Sequence, residues 1–379
     1  MPLAESRRDP YLDLLRVASV LTVVWTHWLT AKIWAAEDRI GAGSILDDAR
    51  PLAVTTWIFM VSPVLLFVGG AVNHTLYTAS GAQGFLRRRA RRLLPPLVAF
   101  IGCWVIVDVV LHLLDLGGTG VVRWVGLRGV LPFGPLWFIA VYLALVALTP
   151  VTSALIVRFG PVAPIAIAAG TVCVDLARFV LDVPHVGWVN LLLAWLLPHQ
   201  LGQLYAHAPT RMRSTAVAGT MCAAGLGVLV LLTTTGWYPV GIGGMSGDRF
   251  SNMSPPTVCI IALVVWQVGL IVLCRKAGTR LAARPAVAAV VRRVNPLTMT
   301  LYLWHMTAMA VAVLALRIVG VGATTRSTIE WWVQRPLWIA VATVCMIGFI
   351  GCFAAAGKVM RREPRLAVRS AVAGAPPSG

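Results

Sequence analysis

Charged residues are scarce in this 379-residue chain: they make up 12% of it, whereas hydrophobic residues make up 58%. A soluble globular domain carries charge on roughly 25% of its residues. The mean hydropathy is +0.81, and apolar runs of about twenty residues, enough to cross ~30 Å of hydrocarbon as a helix, recur along the chain. The scarcity of charge therefore excludes an ordinary soluble protein and predicts an all-α membrane protein.

Acidic residues are the scarcest charged group, with 14 Asp and Glu against 32 Lys and Arg and a net charge of +18. In a soluble protein such an excess would suggest a nucleic-acid partner. About ten transmembrane helices are predicted, and a cytoplasmic N-terminus places 21 basic residues on the cytoplasmic side and nine on the other. Because Lys and Arg collect in cytoplasmic loops, this distribution predicts that both termini are cytoplasmic. The excess of positive charge is then explained by topology, and we expect no nucleic-acid partner. The predicted spans are 11–31, 52–77, 93–115, 135–157, 161–181, 187–206, 215–234, 256–274, 296–316 and 333–356.

Several catalytic signatures are also missing. The chain contains no GxxxxGK[ST] phosphate loop, no GxSxG nucleophile turn and no HExxH metal helix. No histidine is followed by Asp five positions later, which disfavours the soluble glycerolipid acyltransferase pattern. The seven cysteines form no CxxC pair and lie in or beside apolar runs, so we interpret them as small core hydrophobes, with no metal site.

No composition break separates a second domain. We predict a single membrane domain over residues 1–370, followed by a Pro- and Gly-rich tail at 371–379 that we expect to be disordered.

Two basic side chains lie within the first span. Arg16 and His27 are eleven residues apart, close to three helical turns, so they share a face about 16 Å apart along the axis. Asp13 precedes Arg16 by one turn and is placed to pair with it. Arg16 can simply reach the headgroups while His27 is a hydrogen-bonded core residue. Alternatively, Arg16 is a basic anchor and His27 an acid–base group, a role that suits histidine because it ordinarily titrates near neutral pH.

An arginine cluster at residues 87–92 precedes the third span. Taken alone, it is typical of a cytoplasmic loop. However, Arg89 and Arg92 are one turn apart and lead directly into the span. Their paired guanidinium groups could also bind phosphates with a bidentate geometry that lysine lacks.

The later spans hold further polar residues. Asp175 and Arg178 form an i, i+3 pair that is as consistent with a structural as with a catalytic role. His305 follows Tyr302 by one turn. From the predicted span starts, His27 lies roughly 24 Å along its helix and His305 about 15 Å, so without an offset the two imidazoles are not expected to be neighbours.

Together these residues resemble the membrane acyltransferase-3 family of bacterial multipass O-acyltransferases. Arg-x10-His and Arg-x-x-Arg are the most specific of the similarities, which occur in a consistent order over most of the chain. The matching segments are Asp13-Leu14-Leu15-Arg16 with His27, Arg89-x-x-Arg92, Gly134-Pro135-Leu136-Trp137-Phe138 with Tyr142, His199-Gln200-Leu201-Gly202, Asn252-Met253-Ser254-Pro255-Pro256 and Tyr302-Leu303-Trp304-His305.

The resemblance implies transfer of an acyl group, often acetyl, from cytoplasmic acyl-CoA to a hydroxyl of a carbohydrate, glycolipid or glycosylated metabolite. The location would be the bacterial inner membrane, and no permanently bound cofactor is expected. Direct transfer and an acyl-histidine intermediate both remain open. On this basis we expect His27, Tyr302 and His305 to be catalytic, Arg16, Arg89, Arg92 and His199 to bind the donor, and Asp175, Arg178 and Asn190 to bind the acceptor.

Two other classes were weighed. An exporter of a glycoconjugate or small molecule should show paired broken helices or an internal repeat, and neither is evident in the sequence. A scaffold without chemistry has no need of so many ionisable residues in its spans. The sequence therefore favours an enzyme.

Overall fold

The structure, a computed structural model, is built from helices that follow the apolar runs, and it describes residues 9–35, 40–113, 134, 136–319, 321 and 328–373. The first helix begins where expected, because Pro10 suits a first turn and Asp9 caps it by accepting a hydrogen bond from the Tyr11 backbone N–H at 3.0 Å. The helices are α1 (Pro10–Thr30), α2 (Thr56–Phe59), α3 (Ser62–Leu113), α4 (Leu136–Phe159), α5 (Val162–Phe179), α6 (Asn190–His207), α7 (Pro209–Met212), α8 (Thr215–Thr234), α9 (Val258–Leu273), α10 (Arg275–Ala283), α11 (Pro285–Val294), α12 (Thr298–Ile318) and α13 (Ile329–Ala373).

Each of the ten predicted spans overlaps at least one of these helices, and the span 52–77 covers α2 and the start of α3. By length and apolar composition alone, seven stretches of the described residues could cross a membrane, or eight if the bent pair α9–α10 forms one span. One stretch, Arg50–Val110, contains two predicted spans, because α3 is broken at Gly81, whose φ of 67° lies in the left-handed region. The all-α membrane class is confirmed, whereas the count of ten and the cytoplasmic termini remain predictions.

Two predicted connections contain regular structure. The loop predicted at 32–51 holds an antiparallel hairpin of β1 (Ala31–Ala35) and β2 (Ile40–Ser44). The connection at 275–295 forms α10 and α11. Of the predicted loop at 116–134, only Gly134 is among the described residues. Residues 374–379 of the predicted tail and Pro135 also lie outside them.

Segments predicted to lie on the same side of the membrane contact one another. At one end of the bundle, Asp9 lies 3.8 Å from Arg213. At the opposite end, the Ser246 backbone N–H donates to Asp47 at 2.8 Å. We call the end that carries the arginine cluster 87–92 the basic end.

Helices α3 and α6 pack almost backbone to backbone. A Cβ at Gly70 would lie 1.9 Å from the carbonyl oxygen of His199, and a Cβ at Gly202 would lie 2.0 Å from that of Phe67. Glycine is required here because close approach between membrane helices depends on small residues. This contact holds α6 against the helix that continues into the arginine cluster.

Candidate active site

His27 on α1 and His305 on α12 are hydrogen-bonded to each other. His27 Nδ1 lies 3.1 Å from His305 Nε2, and the ring centroids are 5.0 Å apart. The adjacent Trp28 donates from its indole nitrogen to the His305 carbonyl at 2.8 Å, which joins the two helices at this level. The two imidazoles are therefore neighbours, the arrangement that the sequence allowed only for helices that are offset from each other.

An offset between α1 and α12 brings the two imidazoles together. His27 lies 17 residues after the first residue of α1, and His305 lies only seven after the first residue of α12. Helix α12 thus begins about 15 Å deeper in the bundle, at 1.5 Å per residue. The segment before it, which includes α10, α11 and the turn Asn295–Leu297, occupies the basic end. Hydropathy gives the length of an apolar helix but not its depth.

The hydrogen bonds assign the ring protons. His305 Nδ1 lies 2.6 Å from the Tyr302 carbonyl oxygen, which can only accept, so Nδ1 carries the proton. In neutral His305, Nε2 is then an acceptor, and His27 must donate to it from Nδ1. The lone pair of neutral His27 is consequently on Nε2, the atom that is left to accept a proton from a substrate.

The three arginines predicted to bind the donor converge on one cavity at the basic end. Arg16, Arg89 and Arg92 line a space of about 240 Å³ together with side chains of α4 and α12. Tyr142 and Tyr302 are among its aromatic walls. The cavity therefore joins a strongly basic mouth to an otherwise largely apolar interior.

Arg89 is buried without a full set of partners. Its residue is 5% exposed, and its guanidinium carbon lies 5.9 Å from the centroid of the Phe85 ring. Its Nε and Nη2 atoms make no hydrogen bond within the described protein. Because an unsatisfied buried cation is costly, these two nitrogens are well suited to an anion that enters the cavity.

Arg16 is held in a small network. Its Nη1 lies 3.3 Å from Asp13, as the sequence predicted, and 3.3 Å from the side-chain oxygen of Asn295. Asn295 in turn donates to Asp13 at 3.0 Å. Sequence analysis missed Asn295, which is 279 residues from Arg16 and carries no local signal of this contact.

The cavity closes just short of the histidine pair. Tyr302, 7% exposed, lines its inner end. The Tyr302 ring centroid is 5.4 Å from that of Phe138 and 5.8 Å from that of His305. The predicted catalytic residues Tyr302 and His305 are thus adjacent, and the pair lies about one helical turn beyond the cavity.

The geometry agrees with a comparison to known proteins. A family model described as an acyltransferase domain, of the acyltransferase-3 type, matches residues 9–357, from the N-cap of α1 into α13. The chain belongs to this family. A search of curated proteins and a search of solved structures found no match. This membrane protein is therefore an acyltransferase, as the sequence predicted.

His199 of the acyltransferase is not among the described residues that line the cavity. It is fully buried between α3 and α6, where its Nε2 lies 3.0 Å from the amide nitrogen of Asn73. His199 is therefore outside the described cavity lining, and its role in donor binding remains a prediction.

Asp175 and Asn190 of the acyltransferase form a structural network away from the cavity. Asn190 donates to Asp175 at 3.0 Å, and Tyr238 donates to it at 3.2 Å. The backbone N–H of Val258, at the start of α9, donates to the same carboxylate at 2.8 Å. Arg178, the predicted partner of Asp175, instead lies 4.5 Å from the ring centroid of its neighbour Phe179.

Arg335 is a further residue of interest that sequence analysis did not single out. Its buried guanidinium donates to the carbonyl of Leu29 at 3.2 Å and to that of Ala31. It also lies 4.2 Å from the ring centroid of Trp331. Because the last carbonyls of a helix lack helical partners, Arg335 fixes the end of α1 within one turn of His27.

Proposed function

We propose that this acyltransferase moves an acyl group, acetyl in the simplest case, from acyl-CoA at the basic end to a hydroxyl of a carbohydrate or glycosylated acceptor. The supporting observation is a cavity lined by three arginines that closes one turn from a hydrogen-bonded histidine pair, of which His305 is buried and His27 half-buried. The positive-inside rule makes the basic end cytoplasmic, where acyl-CoA is available. The membrane in this proposal is the bacterial inner membrane.

The donor phosphates bind at the arginine mouth. Arg89 offers two unpartnered nitrogens, and Arg92 is exposed at the same opening. Arg16, held by Asp13 and Asn295, contributes a third positive charge. The neutral pantetheine arm then extends along the apolar walls toward Tyr302, which places the thioester near the histidine pair.

His27 acts as the general base. Its Nε2 removes the proton of the acceptor hydroxyl as that oxygen attacks the thioester carbonyl. The carbon–sulfur bond breaks, the CoA sulfur takes the proton from His27, and the products are an ester and free CoA. His305 fixes the tautomer of His27 through the hydrogen bond at 3.1 Å and stabilises the positive charge that develops on it.

Tyr302 is the best placed donor for the negative charge on the thioester oxygen. It lines the inner end of the cavity next to His305, whereas Asn190 is bonded to Asp175 elsewhere. A preorganised hydroxyl at such a position stabilises the tetrahedral intermediate.

The acceptor approaches from the opposite end. There Arg178 Nη1 makes no hydrogen bond within the described protein, and its guanidinium carbon lies 4.5 Å and 5.6 Å from the ring centroids of Phe179 and Phe250. Among the residues predicted to bind the acceptor substrate, Arg178 is thus the one with an N–H group available for a hydrogen bond to it. Asp175 and Asn190, whose bonds fix the loop around it, position the site.

The proposal is tested by the acylation state of cell products. Cells that express the protein, or His27→Ala, or the control Gly219→Ala, are compared by mass spectrometry of extracted glycans and small molecules. Gly219 suits the control because a Cβ at this position on α8 meets nothing within 4 Å. We expect His27→Ala to lower the acyl increment by about 10²–10⁴-fold and the control to leave it unchanged.

A double variant makes the test sharper. His27→Ala/His305→Ala should be no worse than His27→Ala alone, because residues that act as one unit are not additive. A normal acyl increment with His27→Ala, at wild-type protein levels in the membrane, would rule out the assigned role.

A further inference from the structure

A second cavity of about 580 Å³ adjoins the first at the basic end. Arg92 and Pro296 line both cavities, so the two spaces meet at Arg92. The outer wall of the second cavity comes from α11, through Ala288, Val291 and Arg292. These residues and Asn295 recur at helical spacing, so one face of this segment is turned toward the cavity.

The second cavity is positively charged. Residues 275–294, which form α10, α11 and the residue between them, contain six Lys and Arg and no acidic residue. Asp13 contributes a carboxylate to the lining, but that carboxylate is already paired with Arg16 and Asn295. Arg92 and Arg292 are exposed and available to a phosphate group.

We propose that this second cavity binds the nucleotide end of acyl-CoA, with Arg292 on the 3′-phosphate and Arg92 on the diphosphate. The inference rests on the proposed function and deepens it. Small-molecule sites commonly measure roughly 300–1,000 Å³, a range that includes the second cavity but not the first. The first cavity, at about 240 Å³, then holds the narrow pantetheine arm, and Arg89 and Arg16 at its mouth act on the diphosphate together with Arg92.

The order of the parts supports this assignment. From the outside inward, the lining passes from Arg292 to Arg92 and then to Tyr302. In the donor, the nucleotide with its 3′-phosphate is followed by the diphosphate, the pantetheine arm and the thioester. One molecule therefore matches both cavities in sequence, with its reactive carbonyl at the end next to the histidine pair.

The test measures binding of acetyl-CoA and of acetyl-dephospho-CoA, which lacks only the 3′-phosphate, to the purified full chain in phosphatidylcholine nanodiscs. We expect the wild type to prefer acetyl-CoA by about tenfold, the contribution of one charge-assisted hydrogen bond. Arg292→Ala should abolish that preference by weakening only acetyl-CoA. Arg92→Ala should weaken both ligands. The neighbouring Arg293→Ala, which removes an exposed arginine outside the described cavity lining, should change neither.

The outcomes separate the two proposals. Binding of acetyl-CoA by the wild type without any effect of the 3′-phosphate, or an undiminished preference in Arg292→Ala, overturns the nucleotide site alone. No binding of acetyl-CoA by the wild type overturns the proposed donor itself. The binding measurements are repeated in nanodiscs that contain phosphatidylglycerol. If Arg292→Ala then weakens both ligands equally, and does so only in these nanodiscs, the cavity binds a lipid headgroup and the inference is overturned.

Discussion

Three arginines within the helical bundle differ in the hydrogen-bond partners of their guanidinium groups. Arg335 donates to two backbone carbonyls near the end of α1. Arg16 lies against a carboxylate and an amide oxygen. Arg89 is as buried as Arg335, yet two of its nitrogens have no hydrogen-bond partner in the described protein. Since a cation inside a bundle costs several kcal/mol unless it is paired, Arg89 is the arginine whose partner should be a ligand.

Removal of Arg89 should therefore weaken donor binding specifically. Arg89→Ala is expected to raise the Kd for acetyl-CoA about tenfold or more, which corresponds to one hydrogen bond to a charged group at ~1.5–3 kcal/mol. Arg89→Lys should not restore affinity, because an ammonium cannot make the bidentate contact. The exposed Arg88→Ala, from the same cluster, is the control, and binding to the purified protein is the measurement. An equal loss in both alanine variants would indicate a general effect of surface charge.

Contacts between neighbours in sequence were predictable at this scale, and distant ones were not. The pairing of Arg16 with Asp13 follows from the spacing of one helical turn. The contacts of His27 with His305 and of Arg16 with Asn295 join residues 278 and 279 positions apart. Neither residue spacing nor hydropathy indicates which residues so far apart in the sequence will meet.

At the scale of elements, apolar runs identified the helices but left their packing undetermined. The depth of α12 depends on α10 and α11, which read from sequence only as a charged connection. The close approach of α3 and α6 depends on Gly70 and Gly202, two of the 34 glycines in the chain. Glycine alone does not distinguish a helix contact from a turn or an open face.

The α3–α6 contact gives a matched pair of substitutions. Gly202→Ala places a Cβ 2.0 Å from the carbonyl oxygen of Phe67, so the backbones must separate. We expect a loss of roughly 1–3 kcal/mol or more, as in other overpacked sites, and a lower Tm in detergent. Gly219→Ala on α8 meets nothing within 4 Å and should leave the Tm unchanged or slightly raised. Equal Tm values for the two variants would show that the helices can move apart at little cost.

At the scale of the whole molecule, the charge distribution and the contacts between loops both divide the helical bundle into the same two ends. The excess of Lys and Arg on one predicted side includes Arg213, which lies near Asp9. The loop segments at the opposite end are joined by the hydrogen bond from Ser246 to Asp47. The sequence predicted this organisation because loop charge and span length suffice for it.

Cysteine labelling of sealed right-side-out vesicles tests the orientation. All seven native cysteines are free, and the exposed ones (Cys173, Cys274 and Cys352) would be replaced by alanine. A membrane-impermeant maleimide should label Ser246→Cys directly, because that loop should face outward. Arg293→Cys should be labelled only after permeabilisation, because the basic end should face the cytoplasm. The reverse pattern would contradict the predicted topology and the cytoplasmic donor site.

The closure of the cavity at Tyr302 has an electrical consequence. A membrane potential acts on each elementary charge with ~2.3 kcal/mol per 100 mV, and it falls mainly across the part of the bundle that excludes water. Tyr302 and its neighbour Phe138 are both buried and lie at that closure, between the basic cavity and the histidine pair. If the donor binds as proposed, its phosphates stay on the basic side of this barrier and only the uncharged acyl group passes it. Transfer would then be insensitive to the membrane potential, although donor and acceptor are on opposite sides of it.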